Sequence, residues 1–146
     1  MFDDRRSITG YVFLLSGGAV SCWQAKKQPT VALSSVEAEY MASTQATKEA
    51  IWWRTFLKEL RVNTSSATLI FSDSQGSIAL GKNPEYHART KHIDIQHHFV
   101  REHVNNGDVT FQFIATDEMA ADVLTKTLSR EKHQRMLELV GIQTGN

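Results

Sequence analysis

The sequence predicts an α/β protein in which helices flank a mixed β-sheet. The strand and helix patterns follow the order β-β-α-β-α-α-β-α, and a buried strand at residues 68–72 leads directly into a short helix. The 146 residues are 41% hydrophobic and 22% charged, an ordinary composition for a globular protein with a core. We therefore expect a single domain spanning residues 1–146.

A β-hairpin is the first predicted element. Residues 8–15 (ITGYVFLL) and 19–24 (AVSCWQ) are rich in strand-forming residues, and Ser16-Gly17-Gly18 between them forms a turn. Residues 25–30 (AKKQPT) are expected to be a basic connector, which Pro29 interrupts before the first helix.

The longest predicted helix covers residues 34–60. Ser34 and Glu37 fit a capping box, in which each side chain satisfies a backbone donor of the other residue. One broad buried face is expected from residues near helical spacing: Val36, Tyr40, Ala50, Ile51, Trp53, Phe56, Leu57 and Leu60. Glu39 lies close to this face, where a carboxylate is costly unless a cation meets it.

The second half of the chain contains the remaining elements. In order they are a strand at 68–72, a short helix at 74–80, a loop at 81–90, a helix at 91–105 closed by Asn106-Gly107, a strand at 109–115, and a last helical region from about 118 to 140 with a break near 127–129. Strand ends in open α/β sheets are common places for functional sites.

Three carboxylates from three elements could converge at such a place. Asp73 follows a strand directly, Asp122 lies near the start of the last helical region, and Glu39 belongs to the long helix. Each has a structural alternative, because Asp73 could cap a helix and the other two could be first-turn helix acids. A carboxylate cluster without basic residues needs divalent cations, and Mg²⁺ or Mn²⁺ prefers oxygen ligands. Two such ions could clamp the oxygens of a phosphodiester displacement.

Several segments resemble the ribonuclease H region of Ty1/copia-type retrotransposon polyproteins. They are DDRRSITGYVFLL at the start, VALSSVEAEYMA (31–42), IFSDSQGSIAL (70–80), HARTKHIDIQHHFVREHV (87–104) and AADVLTK (120–126). The resemblance implies a ribonuclease H-like fold that cleaves the RNA strand of RNA–DNA hybrids, with two Mg²⁺ ions held by acidic residues. It also implies two partners, the hybrid and the reverse transcriptase portion of the parent polyprotein.

The resemblance assigns the catalytic and metal-binding roles to Glu39, Asp73 and Asp122. Glu39 and Asp73 would hold one ion and Asp122 would complete the site of the second. Glu37, Ser74 and Asp94 are second-rank candidates. The family's first catalytic aspartate lies on a central first strand, in a stretch that precedes DDRRS and is absent from this sequence. We therefore expect impaired catalysis and a loosely placed hairpin unless another strand fills the gap.

Binding of a hybrid requires contacts with its phosphates. The candidates are Lys26, Lys27, Arg89, Lys91 and His92, and each could equally be an ordinary surface residue. Arg5 and Arg6 are weaker candidates, and Trp23 or Tyr86 could stack on a base or sugar. If catalysis is lost, the alternative functions are a dead retrotransposon remnant or a non-enzymatic nucleic-acid-binding module.

Other classes of function find less support in the sequence. The histidines lack the cysteine partners or the H-E-x-x-H pattern of a zinc site, and no nucleophile elbow supports Ser-His-Asp hydrolysis. No apolar run approaches the length of a membrane span. The single Cys22 fits an intracellular setting, which the resemblance narrows to the cytoplasm, within a virus-like particle, or the nucleus. The sequence does not specify an oligomeric state.

Overall fold

The structure, a computed structural model, describes residues 5–15, 19–82 and 91–142. The elements in chain order are β1 (Ile8–Leu15), β2 (Ala19–Lys27), α1 (Ser35–Glu59), β3 (Thr68–Ser72), α2 (Gln75–Lys82), α3 (Lys91–Asn105), β4 (Val109–Phe113), two 3-10 helices (Thr116–Glu118 and Ala120–Leu124) and α4 (Arg130–Leu139). The predicted α/β class is thus confirmed.

The chain divides into two compact units. The hairpin unit comprises Met1–Ala32 and Ile114–Asn146, and the helical unit comprises Leu33–Phe113. The described strands pair as two separate sheets, β1 with β2 and β3 with β4, where the sequence predicted one mixed sheet. A single domain over residues 1–146 stays a prediction.

The hairpin unit contains the antiparallel pair of β1 and β2. Ile8 lies opposite Lys27, and the register shifts at Ser21, whose Oγ donates to the Phe13 carbonyl at 3.1 Å. The predicted end of the second strand at Gln24 was wrong. Because the backbone of Ile8–Gly10 also needs hydrogen-bonding partners, the strand extends through the lysines of the expected connector. The predicted turn at 16–18 lies outside the described residues.

The last helical region is broken as predicted, but its first part is not an α-helix. Two 3-10 helices precede the break, and α4 begins after Ser129, whose Oγ accepts from Lys132 N at 3.4 Å. Gly10 of β1 lies against this region, and a Cβ there would overlap Thr125 Cγ2. A glycine is required because the chain after Ala121 passes so close to the strand.

The helical unit contains α1, the longest helix, whose buried face matches the predicted one only in part, at Tyr40 and Ala50. The buried residues are Tyr40, Met41, Thr44, Ala46, Thr47 and Ala50. Phe56 and Leu60, expected in the core, are 40% and 59% exposed. The buried threonines explain the error: their hydroxyls donate to the carbonyls of Tyr40 and Ser43 at 3.0 and 2.8 Å, so these polar side chains need no water.

Three helices end in the same hydrogen-bonded turn. After α1, Val62 N donates to Leu57 O at 2.9 Å around Arg61, which has a positive φ of 60°. Glycines hold the equivalent position after α3 and α4, Gly107 with φ 75° and Gly141 with φ 80°. The predicted closure of α3 by Asn106-Gly107 is therefore confirmed.

Strand β3 pairs in parallel with β4 and has an unpaired outer edge among the described residues. Thr68 N donates to Asp108 O at 2.9 Å, so alternation points the backbone groups of Leu69 and Phe71 away from β4. The side chains of Leu69 and Phe71 are also 45% and 48% exposed. Within the described ranges, no helix has the length and apolarity needed to span a bilayer.

Candidate nuclease site

Asp73 lies at the junction between β3 and α2, where three serines fix the backbone. Ser72 is buried, and its Oγ accepts from Ser74 N at 3.2 Å. Ser74 Oγ accepts from Ser77 N at 3.1 Å, which places Ser74, one residue after Asp73, at the cap of α2. The Ser77 hydroxyl in turn donates to the Ser74 carbonyl at 3.1 Å. The half-buried Asp73 therefore emerges from a rigid turn.

The two acids at the start of α1 have different environments. Glu37 completes the cap: its N–H donates to Ser34 Oγ at 3.1 Å, and its carboxylate accepts from Leu33 N at 2.8 Å. The observed cap differs from the predicted capping box, because the Glu37 carboxylate accepts from the backbone N–H of Leu33 and not from that of Ser34. Glu39, half a turn later, is exposed. The expectation that Glu39 lies at the buried face, where an unpaired carboxylate would be destabilising, was therefore wrong. Its side chain is accessible to a ligand.

A close contact joins these two segments of the helical unit. Gly76 lies three residues after Asp73 and packs against Val36, three residues before Glu39. A Cβ on Gly76 would be 3.0 Å from Val36 Cγ2, so only a small residue allows this approach without displacement. The N-terminal end of α2 and the acidic first turns of α1 are consequently neighbours.

Asp122 belongs to the hairpin unit and lies in the 3-10 helix Ala120–Leu124. The residue is 7% exposed, and its Oδ2 accepts from Lys126 Nζ at 3.0 Å. Burial of a carboxylate is costly without a compensating cation, and Lys126 supplies one. The sequence indicated Asp122 within the ADVLTK segment but did not indicate Lys126 as its partner, although a lysine four residues later is a recognisable signal.

The candidate phosphate contacts are surface residues wherever they are described. Lys26, Lys27, Lys91 and His92 are exposed, and Arg89 lies outside the described residues. His92 Nε2 lies 2.7 Å from Gln96 Nε2. Asp94 Oδ1 lies 3.5 Å from His98 Nε2, one turn later in the same helix. Trp23, on the same strand as the two lysines, is 66% exposed. Tyr86 also lies outside the described part of the chain.

Two further histidines, His97 and His103, make contacts within the helical unit. His97 is buried, and its carbonyl accepts from the Tyr40 hydroxyl at 3.5 Å. His103 Nδ1 lies 2.8 Å from Asp108 Oδ2, across the turn from α3 to β4. Among residues 5–15, 19–82 and 91–142, no group of three or more His, Cys, Asp or Glu is placed to hold a metal ion.

Ser72 and Ser77 are the site-building residues that the sequence prediction missed. Both are buried, and their hydroxyl oxygens lie 3.5 Å apart. Their spacing around Asp73, S-D-S-x-x-S, is visible in the sequence, but short polar runs usually indicate an exposed loop. Only the structure shows that these hydroxyls satisfy one another inside the unit.

Nearly the whole chain is similar in sequence to parts of known, much longer proteins. The chain is 48% identical over 142 residues to the retrovirus-related Pol polyprotein from transposon TNT 1-94 of Nicotiana tabacum, a match that covers 97% of the chain. Its homologues are retrovirus-related Pol polyproteins of plant transposons. Those from transposons RE1 and RE2 of Arabidopsis thaliana are each 36% identical over 140 residues, or 96% of the chain.

The chain spans about a tenth of the length of these Pol polyproteins, since each match covers 10% of the relative. No family model and no solved structure matches the chain. The chain is therefore related to one segment of these Pol polyproteins.

Proposed function

We propose that the chain is the ribonuclease H-type segment of a retrotransposon Pol polyprotein and hydrolyses the RNA strand of RNA–DNA hybrids during reverse transcription. The observation that carries this proposal is the contact of Gly76 with Val36, which makes the Asp73 junction and the Glu39 turn neighbours. The match of nearly the whole chain to Pol polyproteins supports the setting.

The proposal assigns Glu39, Asp73 and Asp122 as ligands of Mg²⁺ or Mn²⁺, ions that prefer oxygen donors such as carboxylates. When bound, the ions would activate water and stabilise the charge that develops on the phosphodiester oxygens. The serines around Asp73 hold its backbone, and the Ser34–Glu37 cap fixes the turn from which Glu39 projects. Lys126 Nζ pairs with Asp122 Oδ2 at 3.0 Å.

The proposal includes a further strand that carries a fourth carboxylate. The open edge of β3, with the backbone of Leu69 and Phe71 pointing outward, supports a need for strand pairing in the helical unit. Such a strand would come from a longer natural chain or from another molecule. The proposed setting of this reaction is the cytoplasm, within a virus-like particle, or the nucleus, in association with the reverse transcriptase portion of the polyprotein.

The second candidate is a non-enzymatic nucleic-acid-binding module. It is favoured by one observation, the exposed Trp23 followed by the exposed Lys26 and Lys27 on β2. Because side chains alternate along a strand, Trp23 and Lys27 lie on the same face of β2, and exposed aromatic rings and cations on one face are typical of surfaces that stack bases and contact phosphates. This function would require none of the three carboxylates.

Cleavage of a labelled RNA–DNA hybrid in Mg²⁺, with and without a peptide that supplies the expected strand, distinguishes the two candidates. With the peptide present we expect cleavage, which Asp73→Asn should abolish. Asp117→Asn should leave it intact, because Asp117 is an exposed residue paired with Lys132. Salt-sensitive hybrid binding without cleavage under both conditions would reject the nuclease and support the binding module.

A further inference from the structure

The turn that joins α3 to β4 contains an asparagine directly before a glycine. Asn106 is the first residue after α3, and Gly107 follows it with a positive φ of 75°. Both residues are exposed. Within the described part of the chain, no heavy atom beyond the adjacent residues lies within 4 Å of the position that a Cβ on Gly107 would take. The Gly107 nitrogen can therefore approach the Asn106 side chain without hindrance from neighbouring groups.

These two residues have the groups required for deamidation, the hydrolytic loss of a side-chain amide. The Gly107 nitrogen gives its proton to solvent and attacks Asn106 Cγ, which forms a cyclic succinimide. The bond between Cγ and the amide nitrogen breaks, and that nitrogen takes up a proton and leaves as ammonia. Water then opens the ring at one of its two carbonyls, so the product is aspartate or isoaspartate. Asparagine is a thermolabile residue, and a following glycine hinders the attack least because it has no Cβ.

The nucleophile of this reaction is also an atom that closes the helix. Gly107 N donates to Val104 O at 3.1 Å, and Asp108 N donates to His103 O at 3.0 Å. The attack requires a Gly107 nitrogen that is released from its hydrogen bond, so it proceeds from molecules in which this turn is open. Helix ends open locally at a much lower free energy than the whole protein.

A side-chain contact across the same turn favours its closed form. His103 Nδ1 lies 2.8 Å from Asp108 Oδ2, and Arg54 Nε of α1 lies 3.9 Å from the other oxygen of this carboxylate. The Asp108 carbonyl in turn accepts from Thr68 N at 2.9 Å, which aligns the start of β4 with β3. Opening of the turn therefore affects the place where the β3–β4 sheet begins.

We propose that Asn106 is a modification site of the folded chain, at which the Gly107 nitrogen and water convert the side-chain amide to aspartate and isoaspartate when the turn opens. Isoaspartate adds one carbon to the main chain, so the N–H groups of Gly107 and Asp108 no longer both reach their acceptors in α3. Either product also places a negative charge at the C-terminal end of α3, where the helix dipole disfavours it. The modification therefore makes a reversible opening of this turn permanent.

Incubation of the 146-residue chain in neutral buffer, followed by tryptic digestion and mass spectrometry, tests the proposal. One tryptic peptide, residues 102–126, contains both Asn106 and Asn105, and Asn105 is an internal control because the residue after it has a side chain. Asn106 should be converted at least about tenfold faster than Asn105. Asn63 is a further control, since it is also exposed but its Oδ1 accepts from Ser65 N at 2.9 Å.

Two variants test the role of the turn, and circular dichroism confirms that each is folded. His103→Phe keeps an aromatic ring but removes the nitrogen that contacts Asp108. It should speed the conversion about two- to tenfold, the range expected when one hydrogen bond that favours the closed turn is lost. Lys132→Met is the matched control, because it breaks the pair with Asp117 in the hairpin unit, and the rate should change less than about twofold.

Equal conversion of Asn106 and Asn105 would overturn the proposal. Conversion of Asn106 in the urea-unfolded chain but not in the folded chain would also overturn it, because the native turn would then prevent the reaction. An equal effect of the two variants would reject the opening of this turn as the controlling step. In the modified fraction, amide exchange at Asp108 should be at least about tenfold faster, and unchanged protection would show that the turn closes again.

Discussion

The packing of the 3-10 helix Ala120–Leu124 on β1 makes Gly10→Ala a sharp test of the hairpin unit. The new Cβ would overlap Thr125 Cγ2 and lie 3.4 Å from the Ala121 carbonyl oxygen and 3.5 Å from Leu124 Cβ. The Thr125 side chain can rotate, but the Ala121 carbonyl is backbone and cannot. Asp122 follows Ala121 directly, so a displacement of this backbone would also move the candidate ligand.

The magnitude follows from two opposing effects. Overpacking typically costs about 1–3 kcal/mol. Replacement of glycine by alanine in a strand recovers about 0.5–1 kcal/mol of backbone entropy. We therefore expect Gly10→Ala to lower the free energy of unfolding by about 0.5–2 kcal/mol, from the difference between these terms. Thr125→Ser removes the overlapping methyl group, and in that background the cost should fall below about 0.5 kcal/mol.

Amide hydrogen exchange in β1 is the appropriate assay, because it reports the opening free energy of the hairpin unit separately from that of the helical unit. The four proteins of the double-mutant cycle are compared at the Tyr11 and Phe13 amides, which face β2. An equal cost of Gly10→Ala in the unmodified chain and in the Thr125→Ser background would refute the packing described for Gly10, as would a net stabilisation by the single variant.

Three further predictions concern helix ends and an exposed ion pair. Arg61→Gly should stabilise the protein by about 0.5–1 kcal/mol in urea unfolding, because a glycine tolerates the positive φ of 60° at the end of α1; a loss of stability would contradict the assigned turn. Ser34→Ala should cost about 1 kcal/mol in the same assay, since it removes the oxygen that accepts from Glu37 N; an unchanged midpoint would show that the cap is not formed. The hydrogen bond and charge of Lys132 lower the pKa of Asp117. Lys132→Met should raise that pKa toward its ordinary value of 3.8 in an NMR titration, and no change would exclude the pair. Because the folded-state pKa is lowered, the pair favours folding above the ordinary pKa, and this contribution disappears as the pH falls through the lowered value.

Short sequence patterns correctly predicted those elements whose formation depends mainly on residues close together in the sequence. Ser34 starts α1, residues 68–72 form β3, and Gly107 follows α3, all as predicted. The buried face of α1 was only partly predictable, because Thr44 and Thr47 enter the core through hydrogen bonds to the helix backbone. The extension of β2 depended on β1, whose Thr9 is 17 positions before its partner Lys26, and local propensity does not contain that information.

The candidate site shows the same division between local and long-range information. The sequence located Asp73 at a strand end and Asp122 in a helical turn, and both positions are observed. The burial of Asp122 beside Lys126 and the serine network around Asp73 required side-chain geometry. Glu39 is exposed near the start of α1, although Ala46 and Ala50 farther along the same side of the helix are buried, and the apolar pattern does not reveal that difference.

The outward edge of β3 also has a consequence for handling the isolated chain. The strand TLIFS contains neither a charge nor a proline, and within the described part of the chain Leu69 and Phe71 combine exposed side chains with unpaired backbone groups. These are the properties of segments that template intermolecular β-pairing. During expression, folding therefore competes with aggregation at this strand. Leu69→Lys, on the exposed side, is the substitution that should most improve soluble yield without altering the buried Ser72.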